Sequence, residues 1–325
     1  MLIALTACGS PVADLDPAPL PTLAPLENPA SAADEINTVS RPPVPLPTSR
    51  PPSNATTVLL LGTDRRSTSA GANNTDTLML VRLDPDTQRI AILSLPRDLY
   101  VEIPGHEQGR INTAYGWGME DGTGGLALAR QTVSQTLGIP VQHAALLDFC
   151  AFVTLIDAIG GVDVDAPYAI SDPTYPDSGD GYDPFDLPAG QNHLDGEIAL
   201  KYARTRVTGG GDFDRTARQR QLVLAVRAKV TQFDMLTDLV SQSPQLWATL
   251  QDTFETDLTL GEIVDLSVAA SRIPSGQIDV ASIDDTCTTF WTTPSGAQVL
   301  LPNYAAIGVL LDNLLAPPAT TAAAQ

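Results

Sequence analysis

Four short clusters in this 325-residue chain combine carboxylates with arginines. Gly62-Thr63-Asp64-Arg65 follows an apolar run, Thr75-Asp76-Thr77 precedes a second, and Leu95-Pro96-Arg97-Asp98 follows a third. The fourth is Tyr202-Ala203-Arg204-Thr205-Arg206, followed by Asp212-Phe213-Asp214-Arg215-Thr216-Ala217-Arg218-Gln219. Carboxylate oxygens are hard donors, and Mg²⁺ takes one or two of them beside phosphate oxygens. Asp64 and Asp76 are therefore candidate metal ligands. A guanidinium offers a planar, two-pronged fork that matches phosphate oxygens. Two aspartates for a metal and several arginines for anionic oxygens are the equipment of phosphoryl transfer, where catalysis is mostly positioning and charge neutralisation. A plainer account stays open. Asp64 and Asp76 could be turn residues, Arg97 could pair with Asp98, and the later arginines could form a solvated face with Asp212 and Asp214. That account must explain why every cluster falls at the end of an element.

The elements that would position these residues are legible. Residues 57–61 are a continuous apolar run and read as a strand buried on both faces. Residues 77–83 and 89–95 read as strands joined by the turn residues Asp84-Pro85-Asp86, a hairpin. Such a hairpin brings Asp76 and Arg97 to one end, and a first strand running parallel to the third brings Asp64 there too. Ligand sites of such sheets lie outside strand ends. Residues 126–137, 151–159, 197–202 and 216–233 read as helices, and 144–148 and 162–165 as strands. Residues 171–186 read as a long loop rich in Asp, Pro, Gly and Tyr. Arg215, Arg218 and Gln219 share one helix face, while Arg204 and Arg206 would point the same way from an extended segment. Thr259 to Glu262 spells a capping box opening a helix to about Arg272, followed by strands at 278–283 and 297–301 and a helix at 305–315. Interleaved helices and strands with one hairpin predict an α/β sandwich with a mixed sheet.

Composition narrows the function. The net charge is −20, which disfavours a nucleic-acid backbone as partner. Of 18 cationic residues only Lys201 and Lys229 are lysines, and Arg204, Arg206, Arg215, Arg218, Arg220 and Arg227 lie close together. This points to a local anion site, with salt-bridged surface arginines as the alternative. There is no P-loop sequence, no Gly-x-Ser-x-Gly elbow, and no ligand spacing among His106, His143 and His193. Leu5-Thr6-Ala7-Cys8 resembles a lipoprotein cleavage box, although the preceding apolar stretch is short and lacks a positive leader. On that reading residues 1–8 are a signal remnant, Cys8 carries lipid, and the protein lies outside the cytoplasm. Cys150 and Cys287 would then either form a disulfide or remain two unpaired core cysteines. Residues 9–55 are rich in Pro, Ala, Ser and Thr and read as a disordered stalk. The expected folded core spans 56–233, with a helix-strand-helix extension over 234–316 and a frayed tail over 317–325.

From about Thr57 to Val230 the sequence resembles the LytR-CpsA-Psr family. The matching stretches are Leu59-Leu60-Leu61-Gly62-Thr63-Asp64, Thr75-Asp76-Thr77-Leu78, Ser94-Leu95-Pro96-Arg97-Asp98, Arg110-Ile111-Asn112-Thr113-Ala114-Tyr115, Asp157-Ala158-Ile159-Gly160-Gly161-Val162-Asp163-Val164, Ala199 through Arg206, and Asp212 through Gln219. The resemblance implies an αβα sandwich around a mixed sheet. It also implies a Mg²⁺-dependent (or Mn²⁺-dependent) transferase on the outer face of the bacterial membrane. Such an enzyme takes a glycopolymer from an undecaprenyl-pyrophosphate carrier and joins it to peptidoglycan by a phosphodiester. Carried over, Asp64 and Asp76 would hold the metal. Arg65, Arg97, Arg204, Arg206, Arg215, Arg218 and Gln219 would grip the pyrophosphate, and Arg97, Asp98 and Asp212 would form the catalytic set. Apolar helices would line a tunnel for the prenyl chain. Lipid on Cys8 would tether the protein to the membrane. The match departs at Asn74 and Asp214, where many relatives carry arginine and glycine. These departures keep open a protein that binds the carrier-linked glycan without transferring it. A transcription regulator is disfavoured by the charge and the absence of a helix-turn-helix signature.

Overall fold

The expected hairpin lies at the heart of the sheet. The computed structural model describes residues 54–63, 74–177, 181–209, 211–231 and 254–316, with the side chain of Asp212 excepted. Cys8, the Pro-rich stretch up to residue 53, Asp64, Arg65 and the 317–325 tail lie outside the described residues. The first strands are β1 (Thr56–Thr63), β2 (Thr75–Asp84), β3 (Arg89–Leu95), β4 (Tyr100–Glu102) and β5 (Gln108–Arg110). Helices α1 (Ala114–Glu120) and α2 (Gly125–Leu137) follow, then β6 (His143–Asp148), α3 (Phe149–Ala158), β7 (Val162–Ala166), β8 (Ile170–Asp172), β9 (Phe185–Leu187) and β10 (Gly190–Leu194). The remainder is α4 (Gly196–Arg204), α5 (Gly211–Val230), β11 (Phe254–Thr256), α6 (Leu260–Ser271), β12 (Ile278–Ser282), β13 (Thr288–Thr292), β14 (Gln298–Pro302) and α7 (Tyr304–Leu315).

Six strands form one sheet in the order β11-β6-β1-β2-β3-β12. β2 is antiparallel to both β1 and β3, so β1 and β3 run the same way. β6 and β12 join in parallel at either side, and β11 closes one edge antiparallel. In the β2–β3 turn the Asp84 carboxylate accepts the backbone N–H groups of Asp86 and Thr87, as the Asp-Pro-Asp sequence predicts.

Alternation along the strands sorts two faces. Leu59, Leu61, Leu78, Leu80, Leu93 and Leu146 pack against α2, α7 and the buried Tyr115. Met79, Leu83, Ile90 and Ile92 face the other way, toward Val223 and Leu224 of α5 and Leu266 and Ala269 of α6. Helices thus cover both faces, giving an αβα sandwich. A third cluster lies among α3, α4, α5 and strands β7 to β10, around Ile156, Val164, Phe185 and Tyr202.

Several expectations change. β1 is not buried on both faces: Leu59 and Leu61 are buried, whereas Val58 and Leu60 are only half-buried. The long helix starts at Gly211 rather than 216, so Asp212 and Arg215 lie in its first turns. The expected loop over 171–186 carries part of a short β8–β9 ladder. Both residues of Gly160-Gly161 have left-handed φ angles, 74° and 77°, which only glycine adopts at ease. A Cβ on Gly161 would also lie 2.5 Å from the His193 ring. Cys287 is buried in the core and Cys150 is exposed on α3, both as free thiols. The disulfide is therefore not formed, and Cys150 is not the core residue expected. The capping box is present, with the Thr259 hydroxyl accepting from the Glu262 N–H and the Glu262 carboxylate accepting from the Thr259 N–H. Among the described residues no helix is long and apolar enough to cross a membrane.

Candidate active site

The chemistry-bearing residues collect at one end of the central strands because register puts them there. Thr63 pairs with Thr75 on one side and with Asp148 on the other, and Leu78 pairs with Leu95. Continuing the hairpin two residues places Asp76 opposite Arg97. Arg97 Nη1 donates to Asp76 Oδ1 at 2.5 Å. Arg97 Nε lies 3.4 Å from Asp98 Oδ2, and Asp98 Oδ1 lies 3.2 Å from Arg110 Nε. A backing segment steadies this chain: the Asn112 N–H donates to the Arg97 carbonyl at 3.3 Å, and the Thr75 hydroxyl to the Asn112 carbonyl at 3.5 Å. Asp98 therefore stands between two arginines, behind Arg97.

The arginine-rich stretch reaches the same end from above. Arg204 is the last residue of α4, so it leaves a helix rather than the extended segment expected, and the chain turns at Thr205 (φ −56°, ψ 144°). Arg206 follows, exposed. Arg215 is buried, and its Nη2 donates to the Asp76 carbonyl at 3.4 Å. The Gln219 amide donates to the Ala203 carbonyl at 3.4 Å.

Arg218 behaves differently. It is 3% exposed and spends its donors on the protein itself: the carbonyls of Tyr202 and Thr205 and the Thr208 hydroxyl. It does not line the cavity described below. Its guanidinium pins the 202–208 turn and so positions Arg204 and Arg206. Arg227 is a second framing arginine. It donates to the Ala270 and Ile273 carbonyls at the end of α6, and burial lowers its pKa from the ordinary arginine value. Arg218→Met would leave buried carbonyls unpaired, at a cost of about 3 kcal/mol. Urea denaturation should show the lower midpoint, and an unchanged midpoint would remove Arg218 from the framework.

Between the sheet and helices α3, α5 and α6 lies a cavity of about 1040 Å³. Its walls are Val58, Leu60, Met79 and Val81 from the sheet, Phe152 and Leu155 from α3, Val226 and Val230 from α5, and Ile263 and Val264 from α6. This explains the half-burial of Val58 and Leu60: their outer face meets open space instead of packed side chains. It also explains why apolar α6 has no fully buried residue. Among the described residues, the charged ones of the lining are Asp76, Arg97, Asp148, Asp172, Arg204, Arg206 and Arg215. In a protein of net charge −20, four arginines converge on one apolar chamber. Ligand cavities are commonly apolar with a few placed polar groups. This one suits a molecule with a long hydrocarbon part and an anionic part.

The structure thus brings together Asp76, Arg97, Arg204, Arg206, Arg215 and Gln219, and places Asp98 and Arg218 just behind them. Asp64 follows Thr63 but lies, like Arg65, outside the described residues, as does the Asp212 side chain. Among the described residues no group of three or more His, Cys, Asp or Glu could hold a metal. Asp76, a carboxylate at the strand end that Thr63 also reaches, is a hard oxygen donor of the kind Mg²⁺ takes. Sequence reasoning missed Asp148, Phe149, Asp172 and Tyr175. Asp148 caps α3 by accepting from the Ala151 N–H at 2.8 Å, and Asp172 accepts from the buried Thr205 hydroxyl at 2.7 Å. A parallel pairing of β6 with β1 would have revealed the first two; Tyr175 sits in a loop with no periodic signal.

Comparison with known proteins agrees with this geometry. The LytR_cpsA_psr family profile matches residues 28–307. The polyisoprenyl-teichoic acid–peptidoglycan teichoic acid transferase TagU of Oceanobacillus iheyensis is 33% identical over 241 residues, 73% of this chain and 70% of that protein. TagV of Bacillus subtilis, named for the same activity, is 30% identical over 230 residues, 70% of this chain and 56% of that protein. The B. subtilis TagV crystal structure superposes with a TM-score of 0.64 at 26% identity, covering 82% of this chain and 98% of that one. TagT bound to LI-WTA superposes with a TM-score of 0.59 at 25% identity, covering 80% and 89%. With its sheet order, its arginine-lined cavity and a profile match over most of its length, the chain belongs to the LytR-CpsA-Psr family.

Proposed function

We propose that this protein is a phosphotransferase that moves a glycopolymer from an undecaprenyl-pyrophosphate carrier to a peptidoglycan hydroxyl. The observation that carries this reading is a cavity that is hydrocarbon-lined along its length and arginine-lined at the strand ends. An isoprenoid chain would fill the apolar part, each buried carbon contributing roughly 0.8 kcal/mol. The pyrophosphate would then meet Arg97, Arg204, Arg206 and Arg215, with Gln219 as an amide donor. The relatives named as teichoic acid transferases support the same chemistry.

In the reaction the acceptor hydroxyl oxygen forms a bond to the phosphorus nearest the glycan. The bond from that phosphorus to the bridging oxygen breaks, and prenyl phosphate leaves with the electron pair. Asp212, in the first turn of α5, is the candidate for taking the hydroxyl proton. The arginines neutralise charge that builds on the phosphoryl oxygens; Asp98 holds Arg97 in place, and Arg218 holds Arg204 and Arg206. Asp64 and Asp76 would hold Mg²⁺ (or Mn²⁺), which when bound supplies further neutralisation of the pyrophosphate. We place the protein outside the cytoplasm, tethered by lipid on Cys8 through the Pro-rich stretch; Asn54 and Ala55, expected in the stalk, belong to the fold, with Asn54 bonded to Asp86 and Ala55 buried.

The test is transfer from a synthetic lipid-pyrophosphate glycan to peptidoglycan oligomers, with and without chelator. Phosphodiester-linked product that disappears with chelator is the expected result. Tight lipid binding without product, under conditions where TagU works, would favour the non-catalytic glycan binder instead.

A further inference from the structure

One cavity arginine, Arg204, lies against two aromatic rings. The Arg204 guanidinium carbon lies 4.2 Å from the centroid of the Phe149 ring and 5.4 Å from that of Tyr175. Its Nη1 also donates to the Tyr175 hydroxyl at 2.9 Å. The two rings come from separate elements. Phe149 is the first residue of α3, directly after the Asp148 cap. Tyr175 is 4% exposed and packs against buried Phe185, ring centroids 6.3 Å apart. Both rings line the cavity, as does Arg204.

We propose that Phe149 and Tyr175 form an aromatic clamp that fixes Arg204 where the apolar chamber meets its arginine-lined end, and so sets the preference for a polyprenyl pyrophosphate over the uncharged polyprenol. The inference rests on the reading that this cavity holds a prenyl pyrophosphate. An arginine side chain normally loses considerable rotamer freedom when it grips an anion. Holding the guanidinium beforehand against two rings and the Tyr175 hydroxyl removes that cost from the binding step. A lysine ammonium could neither stack in this way nor present a fork. Burial pushes the Tyr175 phenol above its ordinary pKa, against the lowering pull of Arg204, so it stays a neutral hydroxyl at physiological pH. Phe149 and Tyr175 are positioning residues: they act through Arg204.

The test measures the affinities of a polyprenyl pyrophosphate and of the matching polyprenol in detergent micelles, for wild type, Phe149→Leu, Phe149→Tyr and Tyr175→Phe. Wild type should favour the pyrophosphate. Phe149→Leu should cut that preference about tenfold while polyprenol affinity stays within about twofold, and Phe149→Tyr should restore it. Tyr175→Phe, which keeps the ring and loses the hydrogen bond, should cut it about threefold; it carries the test should Phe149→Leu fail to fold. A wild-type preference left intact in the variants overturns the clamp alone, and so does an equal loss for both ligands. A wild type that binds neither ligand overturns the clamp together with the cavity reading beneath it.

Discussion

An Arg97→Ala protein should transfer glycopolymer about 10²–10³-fold more slowly than wild type and still melt within about 2 °C of it. The first half follows from position. Arg97 lines the cavity, donates to Asp76 at 2.5 Å, and stands with Arg204 and Arg215 at its arginine-lined end. Removing a donor aimed at developing charge acts on the transition state more than on ground-state binding, so kcat should carry most of the loss. The second half follows from exposure. The Arg97 and Asp76 side chains are 26% and 36% exposed, so water can solvate the carboxylates left behind. Arg97→Lys should recover only part of the rate, because an ammonium keeps the charge but not the fork. Circular dichroism melting and turnover measured on one preparation check both halves. A collapsed melting temperature would make Arg97 a structural residue, the plainer reading its pairing with Asp98 keeps open.

Val226→Trp should weaken lipid binding at least a hundredfold without lowering stability. Val226 faces the cavity from α5, between the buried Leu222 and the cavity-lining Val230. In a packed core, an indole in place of a valine strains its neighbours by about 1–3 kcal/mol. Here it would enter open space and gain contacts, so the melting temperature should stay level or rise. The lost volume excludes part of the hydrocarbon, and each five-carbon isoprene unit shut out forfeits roughly 4 kcal/mol, about three decades in Kd. Affinity for inorganic pyrophosphate should be unaffected, since the arginines are untouched. Titration with a polyprenyl pyrophosphate and a thermal melt decide it: a lower melting temperature with unchanged lipid affinity would mean that the space is ordinary core.

The same residue shows what the sequence can and cannot say. Leu222, Val226 and Val230 recur at helical spacing, and the helix they predict is present. Hydrophobic periodicity reports that a face avoids water, not whether it meets other side chains or a chamber awaiting a ligand. Val58 and Leu60 therefore read as core and prove to be wall. The hairpin, its turn, the capping box and the convergence of Asp76 with Arg97 were legible because each is set by local pairing or turn chemistry. Arg204, Arg206, Arg215 and Gln219 were legible through their motifs. Arg218 was not separable from them, since only the fold shows that its donors meet the Tyr202 and Thr205 carbonyls. Phe149 and Tyr175 escaped notice because their meeting at Arg204 joins a helix start and a loop far apart in sequence.

The most direct measurement is a crystal structure of this chain with a polyprenyl-pyrophosphate glycan. The account expects the prenyl chain in the cavity between Leu60 and Val226, with the two phosphates among Arg97, Arg204, Arg206 and Arg215 and the glycan outside. Lipid bound elsewhere with the cavity empty, or phosphates away from those arginines, would contradict it.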